Sequence, residues 1–466
     1  MEQRIQRVFG AQQTQKYILR QTSLHQRIAK LKLLRESIKK HEDKIYVALQ
    51  KDLQKSTFES AVTELYFVYA ELDFALKNLR KWLRPARVGK TWSSFFVKNR
   101  IYHEPKGVCL VIAPWNYPFQ LTMSPLISAI AAGNCVMVKP SEISIATSKV
   151  IDELISSTFD ENEVACFEGD ASLSTALLAL PFDHIFFTGS TAIGKVVMAA
   201  ASKNLSSVTL ELGGKSPTII DTGVNLKNAA EKIAWGKLVN CGQTCIAPDH
   251  VFIPAHHVDE FIDHYKSAAI RMYFKDEQQI NPTVYGKIID IKHYRRLKAL
   301  VDDAVDQGGR IDWGGQADEK AQVIYPVILT DVPAHALVMN EEIFGPILPI
   351  VAYQNLADVI DQINEKSKPL ALYIFSNSKK NINHVLKNTT AGGTCVNDVL
   401  VHISNPHLPF GGVKGSGMGS SHGFFGFKTF SHERAVAFQR RPDLNRLIYP
   451  PYIGKDWVLR LLRKIM

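Results

Sequence analysis

The sequence predicts an α/β protein of two domains, a doubly wound Rossmann-type unit followed by a second α/β unit. Three observations carry this. From residue 107 onward, short and nearly continuous apolar runs alternate with helix-like stretches. A second series of the same kind begins after Glu211. Apolar runs separated by single helices mark parallel strands buried on both faces. Finally, 466 residues are too many for one hydrophobic core.

Taken in order, residues 12–80 place apolar side chains at helical spacing, as in IAKLKLLRESI, so helices come first. Pro85 and Gly89 end that pattern. The first series then runs GVCLVIAPW, helix 119–133, CVMVKP, helix 143–157, VACF, helix 172–180, HIFFTGS, helix 193–203 and SVTLEL. Five strands in that order make a Rossmann-type unit, whose ligands bind at the C-terminal strand ends. Strands of the second unit are expected at HVFIP, VILTDV, LPIVAY, LALYIFS and GTCVND. After residue 405 the chain is rich in Gly and Pro and reads as an extended connection and tail.

Composition narrows the class. Hydrophobic residues make up 46% and charged residues 21%, ordinary for a soluble globular protein. No apolar run reaches the ~18 residues of a membrane-spanning helix, and the polar N-terminus supplies no signal-peptide core. Six widely spaced cysteines argue against a disulfide framework and for the cytoplasm. The net charge of +10 is uneven. Residues 1–55 hold thirteen Lys/Arg against five Asp/Glu, and residues 77–100 hold eight basic residues and no acidic one. Such a segment suits an anionic surface or, more simply, a solvated face or an arm meeting another subunit. No nucleic-acid recognition motif accompanies it, so no nucleic-acid partner is expected.

Four stretches bear chemistry. FFTGSTAIGK puts Gly189, Gly194 and Lys195 at the spacing of a P-loop, after a strand and before a helix whose amino end favours phosphate. A P-loop needs Ser or Thr after the lysine to hold magnesium, and here Val196 follows. A nucleotide triphosphatase is therefore disfavoured, and a dinucleotide pyrophosphate, which needs no such ligand, fits better. NCGQTCIAPD places Cys245 in a loop of small residues, where it is either a nucleophile or an inert buried thiol. TLELGGKSP puts Glu211 at a strand end, as a general base of raised pKa or a structural carboxylate. PWNYP puts Asn116 after the first strand, as an oxyanion donor or a turn former.

Together, PWNYP, KPSE, FTGSTAIGK, ELGGKSP, GQTCIAPD, EEIFGP and PFGGVKGSGMG stand in the order and spacing of the aldehyde dehydrogenase superfamily. The resemblance covers about residues 20–450 and is strongest to the class 3 branch, through GQTCIAPD, the short N-terminus and YPPY. It implies a Rossmann-type dinucleotide-binding domain at 1–82 and 103–210 and a catalytic domain at 211–400. A bridging or oligomerisation arm with the C-terminal tail would take 83–102 and 401–466. It implies oxidation of medium/long-chain aliphatic or aromatic aldehydes to acids, with NAD as primary cofactor and NADP as an alternative. Cys245 would be the nucleophile, passing through a thiohemiacetal and a thioester; Asn116 would hold the oxyanion and Glu211 would activate water. Trp115, Lys139, Glu142, Gly189, Ser190, Gly194, Glu342 and Phe344 match cofactor-binding positions, and Tyr66 and Tyr117 match an aromatic entrance. No metal is implied. The alternative is a non-catalytic dinucleotide-binding or structural protein of the same fold.

Two further expectations concern assembly and redox chemistry. A homodimer is expected. The closing KDWVLRLLRKIM segregates Trp457, Val458, Leu459, Leu461, Leu462, Ile465 and Met466 from Arg460, Arg463 and Lys464. Such a helix lies on an anionic membrane at the cytoplasmic face, or packs on the body or a partner subunit. Cys241, four residues before Cys245, is either a small space-filler or a redox partner.

Overall fold

A computed structural model describes residues 1–89, 97–439, 446 and 449–465. Helices Glu2–Arg20, Leu24–Leu53 and Tyr66–Trp82 open the chain. The second begins where Ser23 and Gln26 satisfy each other's free amide groups in a capping box. Strand β1 (Ala86–Arg87) and β2 (Val97–Pro105) follow, and β3 (Val108–Ile112), β4 (Cys135–Lys139), β5 (Val164–Cys166), β6 (His184–Thr188) and β7 (Ser207–Glu211) form the first α/β unit. These five are the strands expected there, and they run parallel in the order β7-β6-β3-β4-β5.

Period-two alternation explains why continuous apolar strands are needed. Cys109, Val111, Val136 and Val138 point to one face, packed by the helices of residues 24–82 and Gln120–Ala132. Val108, Leu110, Ile112, Cys135 and Met137 point to the other, packed by Glu2–Arg20, Ala171–Leu178 and Thr191–Ser202. Both faces are dry, so neither residue set can be polar.

The second unit holds β8 (Pro217–Ile220), β9 (His250–Pro254), β10 (Arg310–Gly314), a small hairpin of β11 (Ala317–Asp318) and β12 (Val323–Ile324), β13 (Val327–Thr330), β14 (Ile347–Tyr353), β15 (Ala371–Phe375) and β16 (Gly393–Val396). Its main sheet runs β10-β13-β14-β9-β8-β15-β16, parallel except for β10 at the edge. All five expected strands are present, with β8 and β10 in addition.

The chain after residue 405 is more structured than an extended connection. Strand β17 (Gly417–Met418) adds antiparallel to β7, opposite Glu211, so this segment completes the edge of the first sheet. The helix Gly423–Thr429 buries Phe427 beside Trp82. Strand β18 (Ser431–Gln439) then pairs along all of β2, giving a separate three-stranded sheet with β1. The tail helix Asp456–Ile465 exposes Trp457 and Leu459 and buries Val458; Met466 and the side chains at 461, 462, 464 and 465 lie outside the described residues. Among the described residues, no helix is long and apolar enough to cross a membrane.

Candidate active site

The loops after β3, β6 and β7 open at the carboxyl ends of the first sheet, where a doubly wound sheet binds its ligands. They face the second unit across a cavity of about 530 Å³. Asn116, Tyr117, Gly189, Ser190 and Glu211 line it from the first unit, and Cys245, Glu342 and Phe344 from the second.

At one end the lining is backbone. Ser190 caps the helix Thr191–Ser202, its hydroxyl accepting the Ile193 N–H at 3.4 Å. The first-turn N–H groups of such a helix have no carbonyl partner inside it and favour an anion. Gly194 does not line the cavity. Its Cα lies so close to Leu212 that a Cβ would stand 2.7 Å from that side chain, so glycine lets the helix pack against the end of β7. Lys195 is exposed on the outer helix face. Lys139 and Glu142 stand at the end of β4 as an ion pair and are not part of the cavity wall.

Beside this end, Phe344 adopts φ +52°, a left-handed conformation that an aromatic residue holds only when its surroundings impose it. Arg296 imposes it by donating to the carbonyls of Glu342 and Ile343, while Asp249 accepts the Ile343 N–H at 3.0 Å. Trp115 meets Phe344 edge-on at 5.3 Å and His293 at 4.7 Å. Glu342 has one oxygen buried without a hydrogen-bond partner. Burial first, then the Asp249 carboxylate, raises its pKa to about 7 against the opposing pull of the Gly214 N–H, Lys215 and Arg296. A Cβ on Gly213 would lie 2.0 Å from Glu342 Oε2, so only glycine admits the carboxylate there. An orphaned acceptor beside a helix amino end is the donor–acceptor set that ribose hydroxyls and a pyrophosphate require, so the residues fit a dinucleotide.

At the other end the lining is side chain. Asn116 is buried, and its Nδ2 donates to the Gln243 carbonyl at 3.0 Å, leaving a second amide hydrogen for the cavity. Tyr117 is buried with its hydroxyl 2.7 Å from Thr244 Oγ1. Glu211 is buried with no well-formed hydrogen bond to either oxygen, and that burial raises its pKa to about 7, partly offset by the nearby Ser421 hydroxyl and His422. Burial and the Glu342 and Glu211 carboxylates push the Cys245 thiol up, while the N–H groups of Cys245 and Ile246 pull it down.

One expectation is corrected here. Tyr66 is exposed and does not line the cavity; Val62, Thr63 and Phe67 do. The turn Ala61–Leu65 is a π turn, which inserts one extra residue and so shifts the phase of the side chains that follow. Cys241 is buried against Tyr285 and Gly286, outside the cavity wall, a setting that suits the space-filling alternative. His293, Arg296 and His422 are lining residues that no motif flagged. Arg296 and His293 sit on an amphipathic helix, Ile291–Asp306, whose polar face reads in sequence as solvated.

The profile of the aldehyde dehydrogenase family matches residues 2–436. The 4,4'-diaponeurosporen-aldehyde dehydrogenase of Staphylococcus aureus (strain NCTC 8325 / PS 47) is 42% identical over 447 residues, 96% of this chain and 95% of that protein. Aldehyde dehydrogenase family 3 member B1 of Rattus norvegicus is 44% identical over 439 residues, 94% and 92% of the two chains. The substrate-bound structure of Staphylococcus aureus AldH superposes with a TM-score of 0.94 at 40% identity, covering 98% of this chain and 99% of that one. The chain belongs to the aldehyde dehydrogenase family.

Proposed function

We propose that Cys245, Asn116 and Glu211 carry out NAD(P)-dependent oxidation of an aldehyde to a carboxylic acid in this cavity. The observation that carries the reading is their convergence: a thiol, an amide donor and a buried carboxyl of pKa about 7, brought from two sheets far apart in the chain, line one space. Such a combination has no packing purpose, since each buried polar group costs stability where it stands.

The Cys245 thiol gives up its proton to water and, as the thiolate, adds to the aldehyde carbon. An S–C bond forms, and the carbonyl π pair moves onto oxygen, where Asn116 Nδ2 and the Cys245 N–H receive it. One such donor is typically worth ~3 kcal/mol of transition-state stabilisation. When bound, the nicotinamide cofactor supplies the two-electron acceptor, leaving a thioester on Cys245. Glu211, ionised above about pH 7, takes a proton from water. The resulting hydroxide attacks the thioester, the C–S bond breaks, and the acid leaves with Cys245 restored. Ser190 and Gly189 would hold the pyrophosphate, Glu342 a ribose, Trp115 and Phe344 the ring, and Lys139 with Glu142 the adenosine ribose. An acidic Glu142 favours NAD over NADP, whose 2′-phosphate it repels.

The substrate side is apolar: Val62, Phe67, Trp235, Val239, Ile403 and Phe410. This supports a medium/long-chain aliphatic or aromatic aldehyde, as does the relative named for 4,4'-diaponeurosporen-aldehyde. The division into a dinucleotide-binding part (1–82, 103–210), a catalytic part (211–400) and an arm with tail (83–102, 401–466) belongs to the same reading, as does a homodimer joined through the arm. Exposure of Trp457 and Leu459 supports peripheral contact of the tail with a membrane at its cytoplasmic face; co-sedimentation with anionic vesicles, lost on removing residues 455–466, tests that contact. For the reaction, the test is formation of reduced nicotinamide with NAD or NADP across aldehydes from hexanal to long-chain and benzaldehyde types. Turnover abolished by Cys245→Ala is expected; turnover that survives it would overturn the assignment.

A further inference from the structure

Behind the loops that bear Asn116 and Cys245, the ammonium of Lys55 is buried with the Glu64 carboxylate at 2.7 Å, both side chains at 0% exposure. A buried pair is weak evidence for stability, because desolvation offsets the attraction. Its other contacts give a better reason for its position. Lys55 Nζ donates to the Asn116 carbonyl at 3.0 Å and lies 3.9 Å from the centre of the Tyr117 ring. The second oxygen of Glu64 accepts the N–H groups of Phe119 at 3.1 Å and Gln120 at 2.9 Å, where the helix Gln120–Ala132 begins. One ion pair thus grips the Asn116 loop from both sides, and Glu64 stands in the π turn, an irregularity frequent at functional sites.

The same carbonyl leads on to the nucleophile's loop. Asn240 Nδ2 donates to the Asn116 carbonyl at 2.8 Å and to the Gln243 carbonyl at 3.1 Å, and Glu59 accepts the Asn240 N–H at 3.0 Å. Tyr117, under the ammonium, reaches Thr244, the residue before Cys245. Asn240, Cys241 and Gly242 are consecutively left-handed, at φ +52°, +53° and +74°. Two such non-glycine residues persist only where the surroundings over-determine them.

We propose that Lys55 is a positioning residue for the first chemical step: its buried ammonium, held by Glu64, sets the Asn116–Tyr117 peptide and thereby the placement of the Asn116 amide against the Cys245 loop. This rests on the roles given above to Asn116 and Cys245. Lys55 is not part of the cavity wall, so it acts through Asn116 and Tyr117 alone. As the S–C bond forms and the π pair moves to oxygen, the donor must already be in place. A misplacement of ~1 Å costs on the order of 10²-fold in rate.

The test is a double-mutant cycle read in a single turnover, as the rate of reduced-nicotinamide formation on enzyme saturated with NAD. Lys55→Met is expected to slow that step about 10- to 100-fold. The NAD dissociation constant should stay within about twofold, since Lys55 is remote from the Gly189–Ser190 end. In the Asn116→Ala background the same substitution should change the rate less than about twofold, because the group it positions is gone. An equal loss in both backgrounds, or no loss in either, overturns the proposal. Should Lys55→Met not accumulate as folded protein, Glu64→Gln enters the same cycle under the same criteria. It keeps the volume and a carbonyl acceptor for the helix end while weakening the hold on Lys55. Failure of the underlying reading looks different: no reduced nicotinamide from the unsubstituted protein, or a Cys245→Ala protein that still turns over.

Discussion

At the Gly189–Ser190 end of the cavity the lining is backbone, whereas at the Asn116–Cys245 end it is buried side chain. The first needs only a strand, two small residues and a helix start, all contiguous in the chain. The second is assembled from residues far apart. Lys55 lies 61 positions before the carbonyl it holds, and Asn116 lies 127 before the carbonyl it donates to. Two carboxyls of raised pKa, Glu342 and Glu211, both act on Cys245, and burial is the first cause of the shift in each. They differ in company. Arg296, Lys215 and the Gly214 N–H surround Glu342, while the Ser421 hydroxyl and His422 are the polar neighbours of Glu211, without a well-formed hydrogen bond to either oxygen. That difference fits the binding role proposed for Glu342 and the proton-accepting role proposed for Glu211.

That contrast can be broken by substitution, and the largest effect is expected at Glu211. Glu211→Gln should lower steady-state turnover about 10²- to 10⁴-fold while leaving a single burst of reduced nicotinamide, which rapid-mixing absorbance would show. The parent's turnover should rise with pH through a midpoint near 7 as Glu211 ionises. Stability runs the other way. The folded carboxyl holds its proton to about pH 7 while the unfolded one releases it near 4.5. The unfolded state therefore ionises first, and stability falls as pH rises across that window. Removing the charge should make the variant more stable than the parent at pH 8 by up to about 3 kcal/mol, with no difference below pH 4.5. Calorimetric scans at the two pH values would check this.

Next in size, Asn116→Ala should reduce kcat about 10²- to 10³-fold, with cofactor affinity little changed because the binding end is remote. A loss carried mainly in the NAD dissociation constant would erase the distinction between the two ends. Gly213→Ala sharpens it from the other side. The new methyl must displace the Glu342 carboxylate, 2.0 Å away, so cofactor affinity should weaken about tenfold, in titrations of bound NADH fluorescence. Tyr66→Ala should be the smallest, changing the aldehyde KM less than about twofold, since the ring is exposed and off the wall.

The legibility of each part follows from how local its cause is. All ten expected strands are present, most of them as continuous apolar runs imposed by burial on two faces. Among those that escaped notice, β1, β8, β10, β17 and the β11–β12 hairpin have two to five residues, too few to show a period. Strands β2 and β18, nine residues each, are mostly polar and half-buried or exposed, and so carry no apolar run. Cys245, Glu211 and Asn116 stood out because each lies in a short motif at a strand end or loop. His293 and Arg296 did not, because on an amphipathic helix their spacing is that of any solvated face. Tyr66 is placed at the entrance by the resemblance alone, and no sequence pattern marks the π turn before it, after which its ring is exposed.

By itself, then, the sequence determined the two α/β units and the loop that suits a pyrophosphate, and it singled out Cys245, Asn116 and Glu211 as the residues for the proposed nucleophile, oxyanion donor and base. Those depend on local patterns of burial and on short motifs. Only the tertiary structure decided that Glu211 is buried, that Arg296 holds Phe344 in a left-handed turn, and that Lys55 reaches the Asn116 carbonyl. A side chain's pKa and aim depend on what is brought beside it from elsewhere in the chain, and the burial that sets both arises only when the two units close on each other.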